Sequence, residues 1–136
     1  MKEIKKRSDC PISSALDIVG DKWSLLIIRD IALSGKNTYN EFLKSEEKIA
    51  TNVLADRLSM LVGVGILVTE EHPESKAKIF YRLSRQGIDL LPVLVEIILW
   101  SDKYLYISPQ AKQFAKQLRN DKETIIKHIS SGLKKR

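Results

Sequence analysis

The chain is poor in the residues that usually carry chemistry: one cysteine, two histidines and six glycines among 136 residues. A single cysteine, Cys10, excludes an internal disulfide, and nothing in the sequence suggests export. His72 and His128 stand far apart, so no cluster at metal-ligand spacing exists and no metal or other cofactor is expected. There is no Gly-rich phosphate loop and no nucleophile elbow, which argues against an enzyme. No apolar run approaches the ~18 residues that a bilayer span requires. The opening MKEIKKRSDC is basic but has no apolar stretch of the secretory type. A cytoplasmic protein without a membrane partner is the expectation. Internal repeats and low-complexity segments are also missing.

What is present is a globular composition, 43% hydrophobic and 29% charged. The length suits a single domain, 1–136, with a core over about 10–104 and a helical extension over 105–136. Lys and Arg number 23 against 17 Asp and Glu, a net charge of +6 that is compatible with a polyanionic partner. Part of that excess sits at the ends, in Lys2, Lys5, Lys6 and Arg7 and in Lys134, Lys135 and Arg136.

The most informative stretch runs from Lys48 to Leu67, KIATNVLADRLSMLVGVGIL. Ile49, Leu54, Leu58 and Leu61 recur at helical spacing and form one apolar stripe. Asn52, Ala55, Asp56 and Ser59 lie opposite it, all short or hydrogen-bonding. Thr51 suits an N-cap, and Gly63 and Gly65 suit the helix end. An ordinary amphipathic surface helix would show the same pattern. The flanking segments decide between the two readings.

Residues 1–9 are polar and expected to lie loose. Pro11 opens a short apolar helix through Ala15, Leu16, Ile18 and Val19, which Gly20 stops. Asp21 is placed to cap a second helix whose buried face is Trp23, Leu26, Ile27 and Ile31, ending at a Gly35-Lys36-Asn37 turn. A short helix over Thr38–Lys44 then precedes the Lys48–Leu67 stretch. Two helices joined by a brief linker, the second with a polar outer face, make a helix-turn-helix. Ile66–Thr69 reads as a strand, His72–Lys78 as a polar loop, and Ile79–Leu83 as a second strand with period-two alternation. Such a hairpin directly after a helix-turn-helix is a wing. Ser84 caps a further helix carrying Leu90, Leu91, Leu94, Ile97, Ile98 and Trp100. Ser108-Pro109 starts a last helix that Asn120-Asp121 is able to break. The fold class expected is mainly α with a small β-hairpin: a winged helix-turn-helix.

Taken in order, Cys10-Pro11, Gly20-Asp21-Lys22-Trp23, Asn52-Val53-Leu54-Ala55-Asp56-Arg57-Leu58, Gly65-Ile66-Leu67, Tyr81-Arg82-Leu83-Ser84, Gly87, Leu91-Pro92-Val93-Leu94 and Trp100 form a recognisable set. Together they resemble the HxlR-type winged helix-turn-helix regulators, over roughly Cys10 to Tyr104. The chain departs from that pattern in the wing, at Phe80 and at Lys76-Ala77. The resemblance implies a dimeric bacterial DNA-binding transcription factor, similar in shape to the MarR-like regulators, whose terminal helices make the dimer interface. It also draws attention to Cys10, because some members of the family sense oxidants or electrophiles through a lone N-terminal cysteine.

The residues themselves suggest how double-stranded DNA would be met. Thr51, Asn52, Ala55 and Ser59 are the candidates for base edges in the major groove, and Asn52 suits a bidentate contact to adenine. Phosphate contacts are expected from Lys22, Lys36, Lys48, Arg57, Lys76, Lys78 and Arg82 around that face, with Lys76 and Lys78 reaching a minor groove from the wing tip. Each lysine is equally well read as a solvated charge, and Arg57 as an internal partner of Asp56, Glu46 or Glu47. Lys5, Lys6 and Arg7 would favour a reactive Cys10 thiolate, against which stands a small packing residue. The apolar faces of Leu90–Trp100 and Phe114–Ile129 exceed what a small core covers, which suits a homodimer. The rivals are a winged-helix module that binds protein, and a small-ligand or redox sensor with no direct operator reading; an apolar dimer seam could hide an effector pocket.

Overall fold

The computed structural model describes residues 4–72 and 74–135, and for 72 and 75–77 the backbone alone. These residues form two compact units, the first running through Gly87 and the second from Ile88 onward. No helix among the described residues is long and apolar enough to cross a membrane.

The first unit begins with α1, Pro11–Val19, whose N-cap is Cys10 and whose first residue is a proline. Gly20 ends it, and a Cβ there would stand 2.3 Å from the Leu16 carbonyl oxygen, a distance only glycine avoids. Of residues 1–9, expected to lie loose, 1–3 lie outside the described residues, and Arg7 is held. Arg7 donates from Nε to the Asp17 carboxylate at 2.6 Å, which ties it to the helix. Helix α2, Ser24–Ser34, has Trp23 and not Asp21 as its N-cap, but Asp21, two residues earlier, still takes up backbone N–H groups at its start. The Asp21 carboxylate accepts the backbone N–H groups of Trp23 and Ser24, both at 2.9 Å, and the Ser24 hydroxyl at 2.6 Å. Gly35, at φ 68°, closes α2 in the left-handed region.

Helix α3, Tyr39–Leu43, starts from a capping box in which Thr38 and Glu41 satisfy each other's backbone N–H groups. Helix α4 covers Thr51–Gly63. Its N-cap is Ala50 and not Thr51, which is already the first helical residue and makes no capping bond. The reason lies upstream: Lys48 turns the chain at φ 58° and Ala50 is extended, so the helix starts one residue earlier than a Thr51 cap requires. At the other end Gly63 is the last helical residue, and the left-handed position is Gly65, at φ 87°. Gly65 N–H bonds the Val62 carbonyl at 3.1 Å and Ile66 N–H the Leu61 carbonyl at 3.0 Å, the paired bonds of a Schellman end.

The hairpin is longer than its apolar alternation suggests. Strand β1 is Leu67–His72 and β2 is Ser75–Leu83, antiparallel, with Leu67 opposite Leu83 and Glu71 opposite Ile79. Most of the polar stretch read as a loop is strand, with an irregularity between Glu71 and His72. Alternation marks a strand only where one face is buried, and Glu70, Glu71, Lys78 and Ile79 are all exposed. The hairpin is fastened to the helices by a bond from Tyr81 N–H to the Asn37 carbonyl at 2.7 Å. Ile27, Ile28, Ile31, Phe42, Leu54, Leu58, Leu61, Ile66, Leu67 and Leu83 are among the buried apolar residues of this unit.

A short helix α5, Arg85–Ile88, follows, and Ser84 caps it by accepting the Gly87 N–H at 3.2 Å. It does not continue into the Leu-rich helix as expected. Helix α6 is separate, Leu91–Tyr104, with Pro92 in its first turn. Proline has no N–H to continue a preceding helical ladder, so a new start falls there. Helix α7, Pro109–Lys134, begins under Ser108, whose hydroxyl accepts the Ala111 N–H at 3.1 Å. It is broken at Asp121, whose carboxylate accepts the Thr124 N–H at 3.3 Å and so caps the second half. Within this second unit Asp102 of α6 holds both Lys112 and Arg119 of α7, and Glu96 holds Lys122 at 2.7 Å. The secondary structure is thus mainly helical with one two-stranded hairpin.

Candidate nucleic-acid interface

Helix α4 is split cleanly by burial. Leu54 and Leu61 have no solvent exposure and Leu58 has 2%, while Thr51, Asn52, Ala55, Asp56 and Ser59 are exposed. The start of the helix is braced by a residue that the sequence reading passed over. The Tyr39 hydroxyl donates to the Thr51 carbonyl at 3.0 Å. Nothing in the spacing pointed to it, because the partner is a main-chain atom twelve residues away.

The linker before α4 is held by a polar cluster that was also missed. Asp30, 4% exposed, accepts from Arg29, lies 3.8 Å from Lys36 Nζ, and takes a short bond from the Ser45 hydroxyl. Arg29 in turn grips Glu47 with two nitrogens, at 2.8 and 2.9 Å. That grip holds the Glu47 carboxyl down at about 2 and raises the Arg29 guanidinium. The visible signal was Arg29-Asp30 in the otherwise apolar run LLIIRDIAL, since a buried charge needs a partner.

The expected ring of cations divides in two. Lys36 is engaged with Asp30 and with the Ser45 hydroxyl, 2.9 Å away. Arg57 pairs with Asp56 at 2.8 Å and Asp21 at 3.4 Å, and the bond it donates to Asp56 is the main cause of its raised pKa. Asp21 would be raised by burial, but the bonds from Ser24 and Trp23 outweigh this and hold it below the usual carboxylate range. Arg82 is bound to Glu70 across the hairpin. Lys22, Lys48 and Lys78 are exposed, with the Lys22 ammonium 5.2 Å over the Trp23 ring. The side chain of Lys76 lies outside the described residues.

The fold brings Ala55 and Ser59 of α4 together with Thr69 of β1 and Tyr81 of β2 around one cleft, and Lys78 with Asn40 and Lys44 around another. Helix α3, linker, α4 and hairpin therefore stand in the order and packing of a helix-turn-helix with a wing. Residues 18–109 match the model of the HxlR-like helix-turn-helix family. The chain belongs to that family.

Among its relatives, this HxlR-like chain is 33% identical to the HTH-type transcriptional regulator YdeP of Bacillus subtilis strain 168, over 95 residues that make up 70% of this chain and 73% of that one. It is also 33% identical to the HTH-type transcriptional regulator Rv3095 of Mycobacterium tuberculosis strain H37Rv over 69% of its own length, but spans only 58% of that protein. Among solved structures it resembles PA1607, with 41% identity and a TM-score of 0.66 over 76% of this chain and 70% of that one. It also resembles the redox regulator HypR in its oxidized form, with 26% identity and a TM-score of 0.63 over 72% of this chain and all of that one. The HxlR-like chain is a transcriptional regulator with a winged helix-turn-helix fold.

Cys10, the candidate sensor, is exposed at the start of α1. The cations next to it are not idle: Lys6 pairs with Asp9 at 3.3 Å and Arg7 with Asp17.

Proposed function

We propose that this regulator binds double-stranded DNA as a homodimer and reads sequence with α4 in the major groove while the β1–β2 wing lies on the minor groove. The observation that carries this is the split of α4, with one face sealed into the unit and the other lined by short polar side chains in solvent. A major groove about 12 Å wide admits a helix, and short side chains let it approach closely. Thr51, Asn52, Ala55 and Ser59 read base edges. Lys22, Lys48 and Lys78 are the first choices for phosphate. Lys36, Arg57 and Arg82 are internally paired, and they serve chiefly to hold the linker, α4 and the hairpin in place. Lys76 joins Lys78 at the wing. A twofold dimer would set two copies of α4 about 34 Å apart, one turn of duplex. Val93, Ile97, Trp100 and Tyr104 on α6, all exposed, are the apolar surface such a dimer would cover. A mobility-shift assay with Asn52→Ala and Lys78→Ala tests the assignment. Asn52→Ala should lose about 1–3 kcal/mol of discrimination at one base pair. Lys78→Ala should weaken binding on every sequence and lower the salt slope by about 0.9. If neither change weakens binding, these residues are not the DNA site.

A second reading concerns what switches the regulator. Cys10 is exposed, and HypR, which this chain resembles, is named a redox regulator. An exposed thiol is open to an oxidant or electrophile. Titration of the native protein with a thiol reagent should modify Cys10 at once and change its affinity for DNA. An unreactive Cys10, or full modification with DNA binding unaltered, removes this reading.

A further inference from the structure

Two clefts in the first unit share Tyr39 and Tyr81 as a common wall. The larger, about 570 Å³, is bounded by Asn40 and Lys44 on the α3 side and by Lys78 on β2. The smaller, about 330 Å³, is bounded by Ala55 and Ser59 of α4 and Thr69 of β1. Among the described residues their linings include two lysines and no carboxylate. The nearby Glu41 is turned to the capping box, where it accepts from Thr38 and Asn37.

Every phosphodiester strand of a duplex separates a major groove from a minor groove. If α4 occupies one groove and the hairpin the next, the strand between them must cross the surface between α4 and the hairpin. The smaller cleft lies on that surface, and the larger continues it between α3 and the hairpin, across the shared wall of Tyr39 and Tyr81. Of the two tyrosines, Tyr39 already donates its hydroxyl to Thr51. Tyr81 packs its ring edge-on to Phe42 at 6.1 Å, and its hydroxyl bonds none of the described residues. Burial, with Tyr39 adding to it, pushes the Tyr81 phenol up, so it keeps its proton and remains a donor. Lys44 is exposed at the end of α3.

We propose that these clefts seat the sugar–phosphate strand that passes between the recognition helix and the wing, with Tyr81 donating its hydroxyl and Lys44 presenting its charge to that strand. This rests on the DNA-reading role of α4 proposed above and adds two contacts to it. Both are blind to sequence, because phosphate is the same at every step.

The test is binding of the full chain to a random-sequence duplex, followed by fluorescence anisotropy across a salt series. Tyr81→Phe keeps the ring against Phe42 and removes only the donor. It should weaken binding roughly tenfold, as expected for a hydrogen bond to a charged group, and leave the salt slope unchanged. Lys44→Gln should lower the slope by about 0.9, the signature of one lost phosphate contact. Neither should alter base preference, which separates them from Asn52→Ala. Wild-type affinity and slope in both variants would overturn the proposal even if Asn52→Ala still relaxes base preference, leaving the α4 reading intact. A wild-type chain that binds no duplex would overturn both together. Lys44 is exposed, so Lys44→Gln decides the matter even if Tyr81→Phe melts early.

Discussion

Arg29 and Glu47 set the geometry of the α3–α4 linker one hydrogen-bond pair at a time. The fork of the guanidinium matches the two carboxylate oxygens, and the same arginine reaches the buried Asp30. Because Glu47 is held at about 2, below its ordinary 4.5, its contribution to stability is complete above about pH 4.5 and is lost as the pH falls towards 2. Glu47→Gln should therefore melt below the wild type at neutral pH, with the gap narrowing as pH drops through that window. Glu47 is more than a third exposed, so the gap itself will be modest. Thermal melts from pH 7 to about pH 2 check this; a gap that stays constant would mean the pair does not titrate with folding. Asp30 could be suspected from its apolar surroundings in sequence, whereas Glu47, three residues before Ala50, was one expected partner of Arg57 and pairs with Arg29 instead. An ion pair across 18 residues is a fact of tertiary packing, and only the folded chain reveals it.

At the scale of elements, α4 was the most legible part of the chain because its apolar spacing is strict and its burial follows that spacing residue by residue. Leu58, at 2% exposure, touches the centre of that face. Leu58→Ala should cost about 2–5 kcal/mol of stability, measured by denaturant titration, while the exposed Ser59→Ala should be close to neutral. Equal effects would mean that α4 is not seated on this face. The ends of elements were read less well. Thr51 looked like a cap because it has a hydroxyl, yet Lys48 and Ala50 set the start of the helix by their backbone angles. The wing was read too short because its outer half has no buried face to impose alternation. One helix was expected where α5 and α6 stand, since apolar residues lie on both sides of the break at Asp89-Leu90. In the candidate site, the exposed face of α4 was foreseen, while Tyr39, Tyr81 and Lys44 were not. Their significance comes from the clefts they share, and sequence spacing does not show clefts.

For the whole molecule, the central claim is that two copies of α4 meet one duplex in twofold register. The exposed stripe of α6, four apolar side chains in twelve residues, is what a second copy is proposed to bury. Such a pair recognises an inverted repeat, because a twofold protein imposes its symmetry on the site it selects. Selection of bound fragments from a random duplex pool, carried out in parallel for the wild type and for Asn52→Ala, tests symmetry and reading together. The account predicts that the wild type enriches an inverted repeat with half-sites about 10 base pairs apart, and that Asn52→Ala loses preference at one matched position in each half. No enriched motif, an unpaired half-site alone, or an identical motif from both proteins would contradict it.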